Sequence, residues 1–264
     1  MTTIAFIGAG NIAKALMGGY LATNPDGEVW AADPIEAQLA TLPDGVHTTT
    51  SNLEAAERAD IVVLCVKPNM LGEICQSLRA AAAGKLFISV AAGITCGSLV
   101  EWLGPKAAII RCMPNTPALV GAGMTGLFAT ASVSGRQRSQ GAELLATVGT
   151  ILWFDEEAEL DAVTAVSGSG PAYFFLMLES MQAAATKLGL APDVAKTLVE
   201  QTAFGAIKMA MQSDLPVAEL RRNVTSPGGT TAAAIGVFET KDFEETVFEA
   251  LKAAADRSKA LSNG

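Results

Sequence analysis

The chain has 264 residues, half of them hydrophobic, and a formal net charge of −9 at pH 7. That length suits one large domain or two modest ones around a sizeable core. The negative charge argues against nucleic acid or an anionic membrane as a partner, and Gly, Pro or a charge breaks every apolar stretch before it reaches membrane-spanning length.

The opening MTTIAFIGAG has no basic stretch and no cleavage site, so a secretory signal is not expected. Cys65, Cys75, Cys96 and Cys112 match no zinc spacing, and three lie in or beside apolar runs. They read as reduced, buried thiols of a cytoplasmic enzyme. The single histidine, His47, sits in a polar, turn-like segment and reads as a surface residue. One histidine excludes a multi-histidine metal site, so no metal is expected.

Residues 3–7 (TIAFI) read as a buried parallel strand. Gly8-Ala9-Gly10-Asn11-Ile12-Ala13 follows at once, then a helical pattern through Leu16, Met17 and Tyr20. This is G-x-G-x-x-A between a strand and a helix. Gly8 permits the tight turn, Gly10 lets a pyrophosphate approach the backbone, and Ala13 lets the helix pack closely on the strand. The next strand, Glu28 to Ala32, ends in Asp33, placed to accept hydrogen bonds from a ribose 2′-OH. As a plain helix cap ahead of Pro34 it would serve equally well. No Lys or Arg lies between Asp33 and Thr41 to hold a 2′-phosphate, so the local sequence favours NADH over NADPH.

Asn52 and Leu53 open a short helix, and Ala59 to Val66 is a strand ending in Lys67-Pro68-Asn69 at the sheet's carboxyl edge. Phe87 to Val90 is a strand followed by the turn Ala91-Ala92-Gly93. Ala107 to Arg111 is another, ending in a rigid loop, Cys112 to Pro117, also on the cofactor side. Gly126 to Thr130 and Thr150 to Phe154 are two further strands, around a helix from Gly135 to Val148. Alternating strands and helices define an α/β class, a Rossmann-type doubly wound sheet.

After about Glu156 the strands stop, and helices are expected over 157–166, 171–188, 192–212, 230–238 and 242–261. The division is therefore a dinucleotide-binding domain over 1–158 and a smaller all-helical domain over 159–264. Ser167-Gly168-Ser169-Gly170 reads as a small-residue loop entering a helix. Phe174 to Leu178 are consecutive apolar residues, so that helix is expected to be buried all round, with a second subunit covering part of it.

Arg222 to Ile235 (RNVTSPGGTTAAAI) reads as a loop running into a helix, with Ser226 as N-cap and Pro227 in the first turn. Gly228 and Gly229 leave the first-turn N–H groups open, and such a helix start suits a carboxylate. Capping alone would explain the sequence too. Asp214 and Glu219, just upstream, read as solvated helix-end charges rather than catalytic helpers.

Five motifs in order, IGAGNIAKAL from Ile7, VKP at 66–68, MPNTPALVGAGMT at 113–125, SGSGPAY at 167–173 and NVTSPGGTTAAAI at 223–235, make the whole chain resemble the pyrroline-5-carboxylate reductase family. The resemblance implies NADPH- or NADH-dependent reduction of a cyclic imino acid, Δ1-pyrroline-5-carboxylate, to proline in the cytoplasm. It implies a homodimer through interlocking helical domains, and dimers that assemble into a larger ring. On the same basis Ile7, Gly8, Gly10, Asn11 and Ile12 would line the pyrophosphate and Asn52 would lie near the adenosine ribose. Cys65, Val66, Lys67 and Pro68 would flank the cofactor, with Asn115 near the nicotinamide. Backbone groups of Ser226, Gly228, Gly229, Thr230 and Thr231 would hold the substrate carboxylate, and Thr231 would be the catalytic residue, hydrogen-bonding the ring nitrogen. Many members carry Ser, Asn or Arg where this chain has Asp33 and use NADPH.

The residues suit that chemistry. Hydride attack on a C=N carbon moves negative charge onto nitrogen, which a hydroxyl hydrogen bond or a proton already on the imine can meet without a catalytic histidine. Two other readings remain open at this level. A β-hydroxyacid dehydrogenase resembles G-x-G-x-x-x-K, but Phe174 stands at the lysine position. A silent NAD(H) sensor would have no use for an intact substrate loop.

Overall fold

The computed structural model describes residues 2–262. The chain opens with β1 (Ile4–Ile7), α1 (Asn11–Thr23), β2 (Val29–Ala32), the single turn α2 (Glu36–Leu39) and β3 (Val46–Thr49). It continues with α3 (Asn52–Arg58), β4 (Ile61–Leu64), α4 (Pro68–Leu78), β5 (Leu86–Ser89), α5 (Cys96–Leu103) and β6 (Ala108–Met113). Then come β7 (Gly123–Ala129), α6 (Gly135–Ala146), β8 (Gly149–Trp153) and α7 (Glu159–Val163). The last five helices are α8 (Gly170–Lys187), α9 (Pro192–Gln212), α10 (Val217–Asn223), α11 (Thr230–Thr240) and α12 (Phe243–Ser262).

The strands form one sheet in the order β3-β2-β1-β4-β5-β6-β7-β8. From β3 across to β6 all neighbours are parallel. β7 runs antiparallel to β6, and β8 follows β7 in parallel, so the sheet is mixed. The chain winds outward from β1 to β3 and then crosses to β4 on the other side of β1. The gap between β1 and β4 is therefore the switch point, beyond whose carboxyl ends open α/β sheets bind ligands.

Alternate side chains of the central strands feed two cores. Ile4, Phe6, Val63, Ile88 and Ile110 pack with Leu16 and Met17 of α1 and Leu144 of α6. Ala5, Ile7, Val62, Leu64, Phe87 and Ile109 pack with Ala55 of α3, Leu71 and Leu78 of α4, and Leu99 of α5. Helices on both faces are why these strands are apolar without a polar alternation. The contacts group the chain through Pro171, with Ala253 onward, into one compact unit, and Ala172–Lys252 into a second.

Several local expectations change. His47 is not in a turn. It lies on edge strand β3, opposite Trp30 in β2, and their rings stack at 4.9 Å. Arg58 of α3 also lies over the Trp30 ring, 4.6 Å from its centre. An edge strand with one buried neighbour needs few apolar residues, so Val-His-Thr-Thr gives no strand pattern of its own. Ser167-Gly168 is not loop but the end of a π-helical turn over 164–168 that continues α7. A Cβ at Gly168 would sit 2.4 Å from the Met113 methyl, so a larger residue there would have to push that side chain aside. The short α10, which follows Pro216, had no counterpart in the sequence reading.

Within the second unit the buried hydrophobic residues are Ala195 and Val199, among the described residues. Phe174, Phe175 and Leu176 of α8, Phe204 of α9 and Phe248 of α12 are each about three-fifths exposed in the single chain. The α8 face expected to be buried all round is thus open in one copy. Two buried side chains cannot stabilise a unit of this size, and its apolar faces require a cover. Among the described residues no helix is long and apolar enough to cross a membrane.

Candidate active site

The tight turn after β1 is built on Gly8, which takes φ +98°. Its N–H donates to the Ala32 carbonyl at 2.8 Å, and a Cβ on it would come 2.8 Å from the Cys65 carbonyl oxygen. Both the conformation and the contact demand glycine. Gly10 is the N-cap of α1, no side chain caps that turn, and no atom lies within 4 Å of where its Cβ would be. Ala13, in the first turn, is fully buried against the sheet. The first N–H groups of α1 therefore face an open approach at the positive end of a thirteen-residue helix. That cradle fits a pyrophosphate.

Asp33, at the end of β2, is tied into the same turn. One carboxylate oxygen accepts the Ala9 N–H at 2.9 Å and the other accepts the Ile35 N–H at 2.9 Å. These two bonds leave the carboxylate with further acceptor sites, so the capping role is compatible with accepting from a ribose hydroxyl. Lys14 of α1 reaches toward this side, its ammonium 3.2 Å from the Gln38 Oε1 of α2.

Across the switch point, the Cys65 N–H donates to the Ile7 carbonyl at 2.8 Å, and Lys67 is the N-cap of α4 with Pro68 in its first turn. Ile7, Gly8, Gly10, Asn11, Ile12, Asp33 and the segment Cys65–Val66–Lys67–Pro68 thus meet at the carboxyl ends of β1, β2 and β4. Burial pushes the Cys65 thiol up to about 12, so it is a neutral wall rather than a nucleophile. Asn52 begins α3 after the N-cap Ser51, whose hydroxyl accepts the Glu54 N–H at 3.2 Å.

Asn115 stands at the end of β6, and both ends of its amide are engaged. Its Oδ1 accepts the Met124 N–H at 2.9 Å, and its Nδ2 donates to the Ser167 carbonyl at 3.2 Å. It braces the MPNTP loop against β7 and the π-helical turn.

The loop of the second unit differs from its sequence reading in one respect. Ser226 is not the N-cap. Its carbonyl accepts the Gly229 N–H at 3.0 Å, closing a turn through Gly228 at φ +72°, and Gly229 caps α11. Pro227 accordingly precedes the helix. The positive φ at Gly228 delays helix entry to Thr230. No side chain caps α11, so the first-turn N–H groups beside Thr230 and Thr231 stay open, as a carboxylate site needs.

The sequence reading missed one buried polar cluster. Arg111 of β6, with its side chain 7% exposed, donates through Nη1 to Glu157 Oε1 at 2.6 Å, and the same oxygen accepts the Cys96 N–H at 2.8 Å. An arginine closing the apolar run AAII was the signal that could have revealed it.

Fold and site together define a dinucleotide-binding oxidoreductase of the Rossmann class. Residues 3–93 match the family model described as NADP oxidoreductase, coenzyme F420-dependent, and residues 157–261 match pyrroline-5-carboxylate reductase dimerisation. The pyrroline-5-carboxylate reductase of Pseudomonas aeruginosa is 50% identical over 263 residues, 98% of this chain and 96% of that protein. A solved pyrroline-5-carboxylate reductase from Coxiella burnetii is 41% identical with a TM-score of 0.94, covering 99% of this chain and 98% of that one. The Plasmodium falciparum pyrroline carboxylate reductase, solved with NADP bound, is 33% identical with a TM-score of 0.89 over 99% of this chain and 98% of that one. The chain belongs to the pyrroline-5-carboxylate reductase family. The dimerisation match implies a homodimer.

Proposed function

We propose that this protein reduces L-Δ1-pyrroline-5-carboxylate to L-proline, the closing step of proline biosynthesis, using NADH or NADPH in the cytoplasm. The observation that carries the reading is an uncapped helix start with a glycine N-cap in each unit. The one at Gly10 is shaped for a dinucleotide and the one at Gly229 for a small carboxylate. Residues 1–158 serve as the dinucleotide-binding domain, and 159–264 as the helical substrate-binding and dimerisation domain. The dimerisation match over 157–261 supports the second assignment.

A bound nicotinamide supplies the hydride that adds to the imine carbon, while the ring nitrogen keeps or gains one proton. The Gly10 turn, with Asn11 and Ile12, holds the pyrophosphate, and Asn52 and Asp33 take the adenosine ribose. Cys65 to Pro68 and the loop braced by Asn115 flank the nicotinamide half. The open N–H groups of the Ser226–Thr231 loop hold the carboxylate, and the Thr231 hydroxyl meets the ring nitrogen. These groups orient and stabilise; the chain needs no strong side-chain acid, because the imine takes its proton from water. Asp33 carries a charge where a 2′-phosphate would sit, which favours NADH. The dimers join into a larger ring.

The test is loss of nicotinamide absorbance with Δ1-pyrroline-5-carboxylate, run in parallel with NADH and NADPH. Turnover with a higher specificity for NADH is expected. Dinucleotide binding without turnover on this imine would overturn the reading.

A further inference from the structure

The loop after β5 has no role in the account so far, yet it is held more firmly than its sequence requires. It runs from Val90 to Thr95 at the carboxyl end of a strand that pairs with β4. Asp33 and the Gly10 turn sit at the ends of β2 and β1, so a dinucleotide laid across the switch point reaches β4 and β5 with its nicotinamide half. In this loop Ala92 is exposed, while Gly93, at φ +75°, is buried.

Two contacts fix the loop from opposite ends. At its exit, Glu157 Oε1 accepts the Cys96 N–H at 2.8 Å and is itself held by Arg111 at 2.6 Å. At its tip, Leu261 in the last turn of α12 lies close over Gly93, its Cβ 3.0 Å and its carbonyl oxygen 3.2 Å from where a Gly93 Cβ would stand. That last turn is pinned by the Ser258 hydroxyl, which donates to Asp161 Oδ1 at 2.6 Å. Glu157 and Asp161 are four residues apart, so one short segment at the start of α7 anchors both contacts.

We propose that Glu157 is a positioning residue for the nicotinamide half of the cofactor, acting through the β5–α5 loop, with the C-terminal turn of α12 as its second support. The proposal rests on the dinucleotide reading above. Arg111 is buried, so Glu157 also neutralises a charge that would otherwise be stranded. This ties the loop to the sheet by a charged bond rather than by packing alone.

The test compares two probes on the full-length protein: NADH, and ADP-ribose, which lacks the nicotinamide. Titration by intrinsic or nicotinamide fluorescence gives both dissociation constants without substrate. Glu157→Ala is expected to weaken NADH about fivefold to tenfold, the scale of one lost ordinary hydrogen bond felt through the loop, with ADP-ribose unchanged. Glu157→Gln keeps an acceptor for the Cys96 N–H and is expected to restore most of the affinity. Ser258→Ala removes the hydrogen bond that pins the last turn of α12, so it decides the matter if Glu157→Ala does not fold; a selective loss for NADH of about twofold or more is expected. Equal weakening of both probes, or no change in NADH with either variant, would overturn the proposal. Wild-type protein that binds NADH yet fails to reduce the imine would instead contradict the proposed reaction and leave this comparison valid.

Discussion

Asp33 and Ala9 are joined by a 2.9 Å hydrogen bond from the Ala9 N–H to the Asp33 carboxylate, so the end of β2 sets the shape of the glycine turn after β1. The residue proposed to meet the cofactor's ribose is therefore also a structural member of the glycine turn. Changing one function disturbs the other.

Asp33→Ser removes the charge that opposes a 2′-phosphate and leaves one short acceptor. The NADPH/NADH ratio of kcat/KM is expected to rise about tenfold or more, since like charges in close contact cost several kcal/mol. Affinity for NADH is expected to fall at the same time, because the Ala9 and Ile35 N–H groups lose their partners. Steady-state kinetics with both nucleotides check this. An unmoved ratio would place selectivity elsewhere, with Lys14 the next candidate.

Thr231→Ala removes the hydroxyl in the first turn of α11 while leaving the backbone donors of the loop intact. Turnover is expected to fall about a hundredfold to a thousandfold, the range for one lost donor to a group that gains charge in the transition state. The dissociation constant for NADH is expected to stay within about twofold, because the change touches no group assigned to the cofactor. Unaltered kcat would remove Thr231 from the mechanism.

The four free thiols make stability fall at alkaline pH. Burial pushes Cys65, Cys75 and Cys96 up to about 12, and Cys112 beyond that. A thiol of the unfolded chain ionises near its ordinary value, about 8.5. Above that pH the folded state binds more protons than the unfolded one, so their contribution is full below the ordinary value and is lost as pH rises toward 12. Melting temperature should decline across that window, and Cys75→Ala should flatten the decline. A decline unaffected by removing a thiol would assign it to other groups.

Much of this fold was legible in the chain, for reasons visible in single residues. Ile4 to Ile7 and Ile61 to Leu64 are buried on both faces, which leaves an unbroken apolar run in the sequence. Gly8 shows because no other residue fits its backbone. β3 was hidden because it borrows its stability from β2, and the cap of α11 was misplaced because Ser226 has the right chemistry one turn too early. Arg111 at the end of an apolar run signals a buried charge, but its partner Glu157 was beyond reach, since it lies 46 residues away. The placement of the glycine turn and Asp33 was legible from a local motif, whereas the roles proposed for Asn52, Asn115 and Thr231 rest on resemblance.

Phe175→Glu places a charge on an α8 face that is 62% exposed in one chain. If the homodimer covers that face, sedimentation should show a loss of dimer at micromolar concentration, with activity falling in step. A variant that remained dimeric and active would move the interface to other helices of the second unit.

The central claim is hydride transfer from the nicotinamide to the imine carbon of Δ1-pyrroline-5-carboxylate. Its most direct test is turnover with NADH carrying deuterium at the transferable position, followed by mass and NMR analysis of the product. The account predicts L-proline with a single deuterium on the δ-carbon, the former imine carbon. Unlabelled proline, deuterium at another carbon, or no proline at all would contradict it.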